Sequence, residues 1–143
     1  MTDQPRVLIV DDDETARRAV ASALDPLGVE VHEAHDAVAG LAAARRLRPA
    51  VTVCEWVLSN GGGLGLCRAI SEDADLTATR VVMLTSLADP RDAHTARQAG
   101  ASAFLHKPAV AEEVRDVVRE CLAGRRRFVR QAPSRRASPG PAG

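Results

Sequence analysis

Residues Val51 to Leu66 read VTVCEWVLSNGGGLGL: an apolar, largely β-branched run, a carboxylate at Glu55, a glycine-rich turn and the opening of a helix. A bare charge at the end of a core strand is costly to desolvate, so Glu55 needs partners. Asp11 and Asp12 close a second apolar run, VLIV at Val7 to Val10, and Lys107 follows a third, AFLH at Ala103 to His106. If these runs are parallel neighbours, all four side chains meet at one edge of the sheet. That edge is where open α/β sheets build their sites.

The segments between supply the rest of the pattern. Val29 to Ala34 alternates as a second strand, and Arg80 to Leu84 forms another that ends on Thr85 and Ser86. Ala16, Val20, Ala23 and Leu27 have helical spacing, with Gly28 as the stop. Asp36 is a good N-cap for an alanine-rich helix from Ala37 to about Leu47, which Pro49 ends. Leu64, Cys67 and Ile70 or Ser71 mark a third helix, and Asp89-Pro90 starts a fourth that Gly100 closes. The fifth shows the cleanest period: Val110, Val114, Val117, Val118 and Cys121. Strands alternating with helices in this way predict an α/β fold, a five-stranded parallel sheet with helices on both faces.

Composition bounds the function. Apolar residues make up 45% of the 143 but aromatics only 2%, so the core is built from Val, Leu, Ile and Ala. Charge sums to zero yet is unevenly placed: Arg125 to Gly143 holds six arginines and no acid, leaving 13 basic and 19 acidic side chains before it. Residues 1–124 are read as one domain and 125–143 as a basic, disordered Arg/Pro/Ser-rich tail that cannot bury enough apolar surface to fold. Nucleic-acid binding by that tail is disfavoured, since it lacks interleaved aromatics. Three separate cysteines (Cys54, Cys67, Cys121) and four scattered histidines give neither zinc spacing nor a disulfide framework. No apolar stretch suits a signal peptide or a membrane span, which places the chain in the cytoplasm as an expectation.

Asp11-Asp12, Glu55, Thr85 in MLTS and Lys107 in FLHKP follow one another in strand order, accompanied by GLGLCRAI and AGASAFLHKP. This set resembles the receiver domain of response regulators in two-component signalling, over roughly Val7 to Leu122. The resemblance implies the flavodoxin-like (βα)5 fold and a role as a signalling module rather than an enzyme. It implies that Asp11 and Asp12 match the acidic pair that holds Mg2+, Thr85 the switch hydroxyl, Lys107 the lysine that pairs with the phosphoryl group, and Phe104 the aromatic that moves with the switch. Lys107-Pro108 matches a bond the family usually holds cis. Partners would be a histidine kinase or a downstream effector, met through the face made by helix four, strand five and helix five, or a second copy of the chain as a homodimer.

One decisive position and one loop depart from the family. Glu55 stands where the family has its phosphoacceptor aspartate, and Ser59 with Gly61 to Gly63 replaces the usual Pro and Met-Asp-Gly of the loop. A glutamate is one methylene longer, so its carboxylate lands towards the phosphoryl position and crowds the octahedral shell Mg2+ demands. The chain is therefore expected to be an atypical, stand-alone receiver acting by protein contact, with Asp11, Asp12 and Glu55 holding Mg2+ weakly at most. An ordinary phosphorylation-competent receiver and a flavin-binding protein of the same topology are the alternatives; the acidic loop after strand one argues against a flavin phosphate. Three blander readings stand beside these. Glu55 pairs statically with Lys107, Asp13 and Glu14 only cap helix one, and SNGGGLG, which lacks the lysine and hydroxyl of a phosphate-binding loop, is simply flexible.

Overall fold

The computed structural model describes residues 4–86, 89 and 91–124. Strands β1 (Arg6–Val10), β2 (Glu30–Ala34), β3 (Val51–Glu55), β4 (Arg80–Thr85) and β5 (Ala103–His106) alternate with helices α1 (Glu14–Leu24), α2 (Ala37–Leu47), α3 (Gly63–Glu72), α4 (Arg91–Gln98) and α5 (Ala111–Leu122). All strand pairs are parallel, in the order β2-β1-β3-β4-β5. The expected α/β fold with a five-stranded parallel sheet is therefore the one observed.

Side-chain alternation along the strands divides the core into two layers. Val7, Ile9, Val51, Val53, Val82, Leu84, Ala103 and Leu105 meet α1 and α5 through Val20, Leu24, Val114, Val117 and Val118. Leu8, Val10, Cys54, Val81, Met83 and Phe104 face the opposite layer, which includes Ala43, Ala44, Leu66, Cys67, Ile70 and Ala96. Both faces are thus covered, which is why the central strands read as continuous apolar runs rather than as alternating ones. The three cysteines are free and buried. Burial raises the Cys54 thiol well above its ordinary range and pushes Cys67 up to about 11, so both stay protonated at neutral pH.

Several local expectations shift. Pro26 cannot continue α1, so Leu27 sits in a separate 3-10 turn (Asp25–Leu27) that Gly28 closes at φ 67. Val110 is the N-cap residue of α5 and 61% exposed, not part of its buried stripe. Its position, one residue before the helix, turns it off the face that Val114, Val117, Val118 and Cys121 share. Asp36 does cap α2, accepting from the Ala39 N–H at 2.7 Å. Asp13 caps α1 by accepting from the Thr15 N–H at 3.0 Å. The Asp89 carboxylate accepts from the Arg91 N–H at 2.9 Å ahead of α4, while Pro90 and the tail after Gly124 lie outside the described residues.

The strand order reverses between β1 and β3, and the crevice beyond their carboxyl ends is where Asp11, Asp12 and Glu55 project. Entry into α3 from that crevice depends on Gly63, whose N–H donates to the Trp56 carbonyl at 2.8 Å. A Cβ there would collide with the Glu55 carbonyl and lie 2.7 Å from Trp56 Cα, all rigid backbone. Gly65, two residues on, has open space around it. Gly63→Ala is therefore expected to destabilise the fold by about 3 kcal/mol in urea unfolding. Gly65→Ala should instead stabilise it by about 0.5–1 kcal/mol, because alanine loses less backbone entropy in a helix.

Candidate functional site

The site is built on residues that end strands. Register pairs Val10 with Cys54 across β1 and β3, which puts Asp11 level with Glu55 one step further. Thr85 pairs with His106 across β4 and β5, so Lys107 follows at the same edge, its N–H donating to the Thr85 carbonyl at 2.7 Å. From there the lysine reaches back over β4. Its ammonium lies 2.7 Å from Glu55 Oε1 and 3.0 Å from Asp11 Oδ2. Both carboxylates are largely buried, with side chains 8% and 10% exposed, whereas the lysine side chain is 26% exposed. The Lys107–Pro108 bond is cis.

Each carboxylate is also tied to backbone. Asp11 Oδ1 accepts from the Asp13 N–H at 2.9 Å, and Glu55 Oε2 accepts from the Val57 N–H at 3.0 Å. Arg17 donates to the Asp11 carbonyl at 2.6 Å and to Glu33 at 2.9 Å, which fixes the turn after β1 against β2. Burial alone would lower the pKa of Lys107, but its hydrogen bonds and charge attraction to Glu55 and Asp11 outweigh that and raise it. The centre is thus a cation held between two acids at neutral pH.

Asp12 goes elsewhere. Its exposed carboxylate accepts from the Ser59 hydroxyl at 2.7 Å and from the Ser59 N–H at 3.3 Å. The structure therefore brings Asp11, Glu55 and Lys107 together and leaves Asp12, in the turn after β1, bonded to Ser59 of the loop after β3. Among the described residues, no three His, Cys, Asp or Glu side chains are placed as a metal-ligating group. As arranged, Asp11, Asp12 and Glu55 are each engaged by donors of the chain itself.

Thr85 is fully buried at the end of β4. Phe104 is buried as well and packs edge-on against Trp56, with ring centroids 6.3 Å apart and planes at 90°. The residue after Glu55 thus touches the aromatic position of β5, a contact that sequence spacing alone does not reveal. The glycine loop is not loose. Ser59 O accepts from the Ala37 N–H at 3.1 Å, Asn60 Nδ2 donates to Asp36 at 2.7 Å, and positive φ at Asn60, Gly61 and Gly62 lets the chain turn between these anchors. Its glycines shape a turn that is anchored at Ser59 and Asn60. The Asn60 and Ala39 hydrogen bonds, the latter the larger influence, hold the Asp36 carboxyl below its usual range.

Sequence comparison places this geometry. The family model of the response regulator receiver domain matches residues 7–119. The chain belongs to the response regulator receiver family. Among curated relatives of this receiver, the DNA-binding dual master transcriptional regulator RpaA of Synechocystis sp. is 32% identical over 118 residues, 82% of this chain and 49% of that protein. Protein PilH of Pseudomonas aeruginosa is 29% identical over 119 residues, 83% of this chain and 98% of that protein. The chain spans about half the length of the first curated relatives it matches. Among solved structures, the signal receiver domain of the response regulator NarL from Mycobacterium tuberculosis superposes with a TM-score of 0.78 at 28% identity, covering 87% of this chain and all of that one. The chemotaxis response regulator CheY4 of Vibrio cholerae gives 0.77 at 26%, covering 82% and 98%.

Removing the cation from this receiver's centre tests the electrostatic arrangement directly. Lys107→Met would leave two buried carboxylates facing each other and is expected to cost about 3 kcal/mol at neutral pH, measured by urea unfolding. The lysine's folded-state pKa lies above its ordinary 10.5, so its contribution is fully present below that pH and is lost as pH rises through the folded value. The stability gap between Lys107→Met and wild type should therefore close at the alkaline end of a pH series.

Proposed function

We propose that this receiver domain signals by protein contact with its site set by the Glu55–Lys107 ion pair in place of a phosphoryl group. Receiver domains interact with histidine kinases and effectors, and this chain is a two-component signalling module of that family. The 2.7 Å contact between Lys107 Nζ and Glu55 Oε1 carries the reading. In this reading, which follows the resemblance of the motifs, Glu55 takes the phosphoacceptor position and Lys107 is the lysine that would pair with the phosphoryl group. Here that lysine already has a carboxylate partner. Glu55 thus imitates the charge of an acceptor that has been modified, and Thr85 and Phe104 sit at the switch positions beside it.

The same contact argues against ordinary phosphorylation. Transfer from a phosphodonor needs nucleophile and metal in line, and misplacement of about 1 Å costs on the order of a hundredfold in rate. Glutamate carries its carboxylate one methylene further from the backbone than aspartate would, and Asp12, the second of the metal-matching acids, is engaged by Ser59. The module acts by binding, not by turnover, with α4, β5 and α5 as the contact face for a kinase or an effector. No helix among the described residues is long and apolar enough to cross a membrane.

Incubation with acetyl phosphate and magnesium, followed by intact-mass measurement, tests this. Wild type is expected to gain no phosphoryl mass, whereas Glu55→Asp, with Asp11, Thr85 and Lys107 still in place, should gain it in part of the population. Stoichiometric uptake by wild type would overturn the proposal in favour of a phosphorylation-competent receiver. For any partner so far bound by wild type, Glu55→Asp without phosphate and Glu55→Gln should both weaken affinity, because each loosens the charge facing Lys107.

A further inference from the structure

All six carboxylate oxygens of Asp11, Asp12 and Glu55 are already engaged by donors of the chain itself. Asp11 is shared between the Asp13 N–H and Lys107, and Glu55 between the Val57 N–H and Lys107. Both oxygens of Asp12 lie 3.3 Å from the Ser59 N–H, and one also accepts from the Ser59 hydroxyl at 2.7 Å. A small divalent cation needs near-ideal octahedral oxygen geometry at about 2.0–2.1 Å, so it would have to strip several of these bonds and displace the ammonium.

We propose that Ser59 and Glu55 together make the site complete without a metal: Ser59, on the loop after β3, holds Asp12 while Lys107 supplies the cation between Asp11 and Glu55. Ser59 is a positioning residue, acting through Asp12. A proline at this position could make neither contact, since it has no N–H and no hydroxyl. The loop departure and the acceptor departure are therefore one device. Ser59 is itself held in place, because its carbonyl accepts from the Ala37 N–H at 3.1 Å and its neighbour Asn60 is bound to Asp36 at 2.7 Å. Undoing Glu55 alone thus leaves Asp12 still occupied, and the two changes should act together on metal affinity. This deepens the functional reading above and rests on it only for placing Glu55 at the acceptor position.

Free Mn2+ measured by electron paramagnetic resonance, titrated into the full chain with no phosphodonor present, reads the metal alone. Wild type is expected to leave the free-ion signal unchanged into the millimolar range. Glu55→Asp should bind weakly, Glu55→Asp with Ser59→Ala more tightly, and Glu55→Asp with Ser59→Pro by about a further tenfold over Glu55→Asp, the usual scale for groups that orient metal ligands. Circular dichroism checks that each variant is folded, and the alanine pair decides the matter if the proline variant is not. Saturable Mn2+ binding by wild type would overturn the inference, as would double variants that bind no better than Glu55→Asp. A wild type that gains phosphoryl mass yet binds no Mn2+ sinks the functional reading and spares this one; the reverse pattern does the opposite.

Discussion

A single ammonium between two buried carboxylates holds the carboxyl end of this sheet together. Lys107 joins β5 to β1 and β3 across β4, 3.0 Å from Asp11 and 2.7 Å from Glu55. Without it, two acids less than about a tenth exposed would face each other in a medium where like charges are poorly screened. Lys107 is also the only lysine in the chain; every other strong base is an arginine. The difference is physical. A compact ammonium with three rotatable donors suits a gap between two carboxylates that approach from different strands, whereas a planar guanidinium matches one carboxylate edge-on.

Around that ion pair the loop after β3 works as a frame. Ser59, Asn60 and Gly63 tie it to Asp12, to the start of α2 and back to Trp56. Trp56 in turn lies edge-on to Phe104 in β5. The strand that carries Glu55 is therefore linked on one side to the carboxylates after β1 and on the other to the aromatic position of β5.

The family match, over residues 7–119, extends across both layers of the core. In a receiver, an aspartate, a metal and a phosphoryl group are brought together transiently, and the lysine responds to their charge. In this chain, the lysine's partner is a permanent residue, and the acids that match the metal pair are shared between backbone donors, Lys107 and Ser59. On the function proposed above, the output of such a site depends on which surface is presented and to whom.

Much of this was legible in the sequence, for reasons that are local. Apolar β-branched runs of strand length separated by helical periods specify alternating strands and helices, and strands buried on both faces must be parallel and covered. The charges that end Val7–Val10, Val51–Cys54 and Ala103–His106 had to meet, because a parallel sheet brings all its strand ends to one edge. So the fold, the pairing of Glu55 with Lys107 and the caps at Asp13 and Asp36 followed from residue type and spacing. The division of labour between Asp11 and Asp12 did not. Adjacent residues of the same type carry no signal about which points inward; that depended on where Lys107 arrived from β5 and where Ser59 arrived from β3, across 96 and 47 residues of chain. The pinning of the glycine loop was hidden for the same reason. Glycine advertises backbone freedom, but whether that freedom is used for motion or for one strained turn is decided by the groups waiting at its ends, here Asp12, Asp36 and the first turn of α2, which only the tertiary structure brings there.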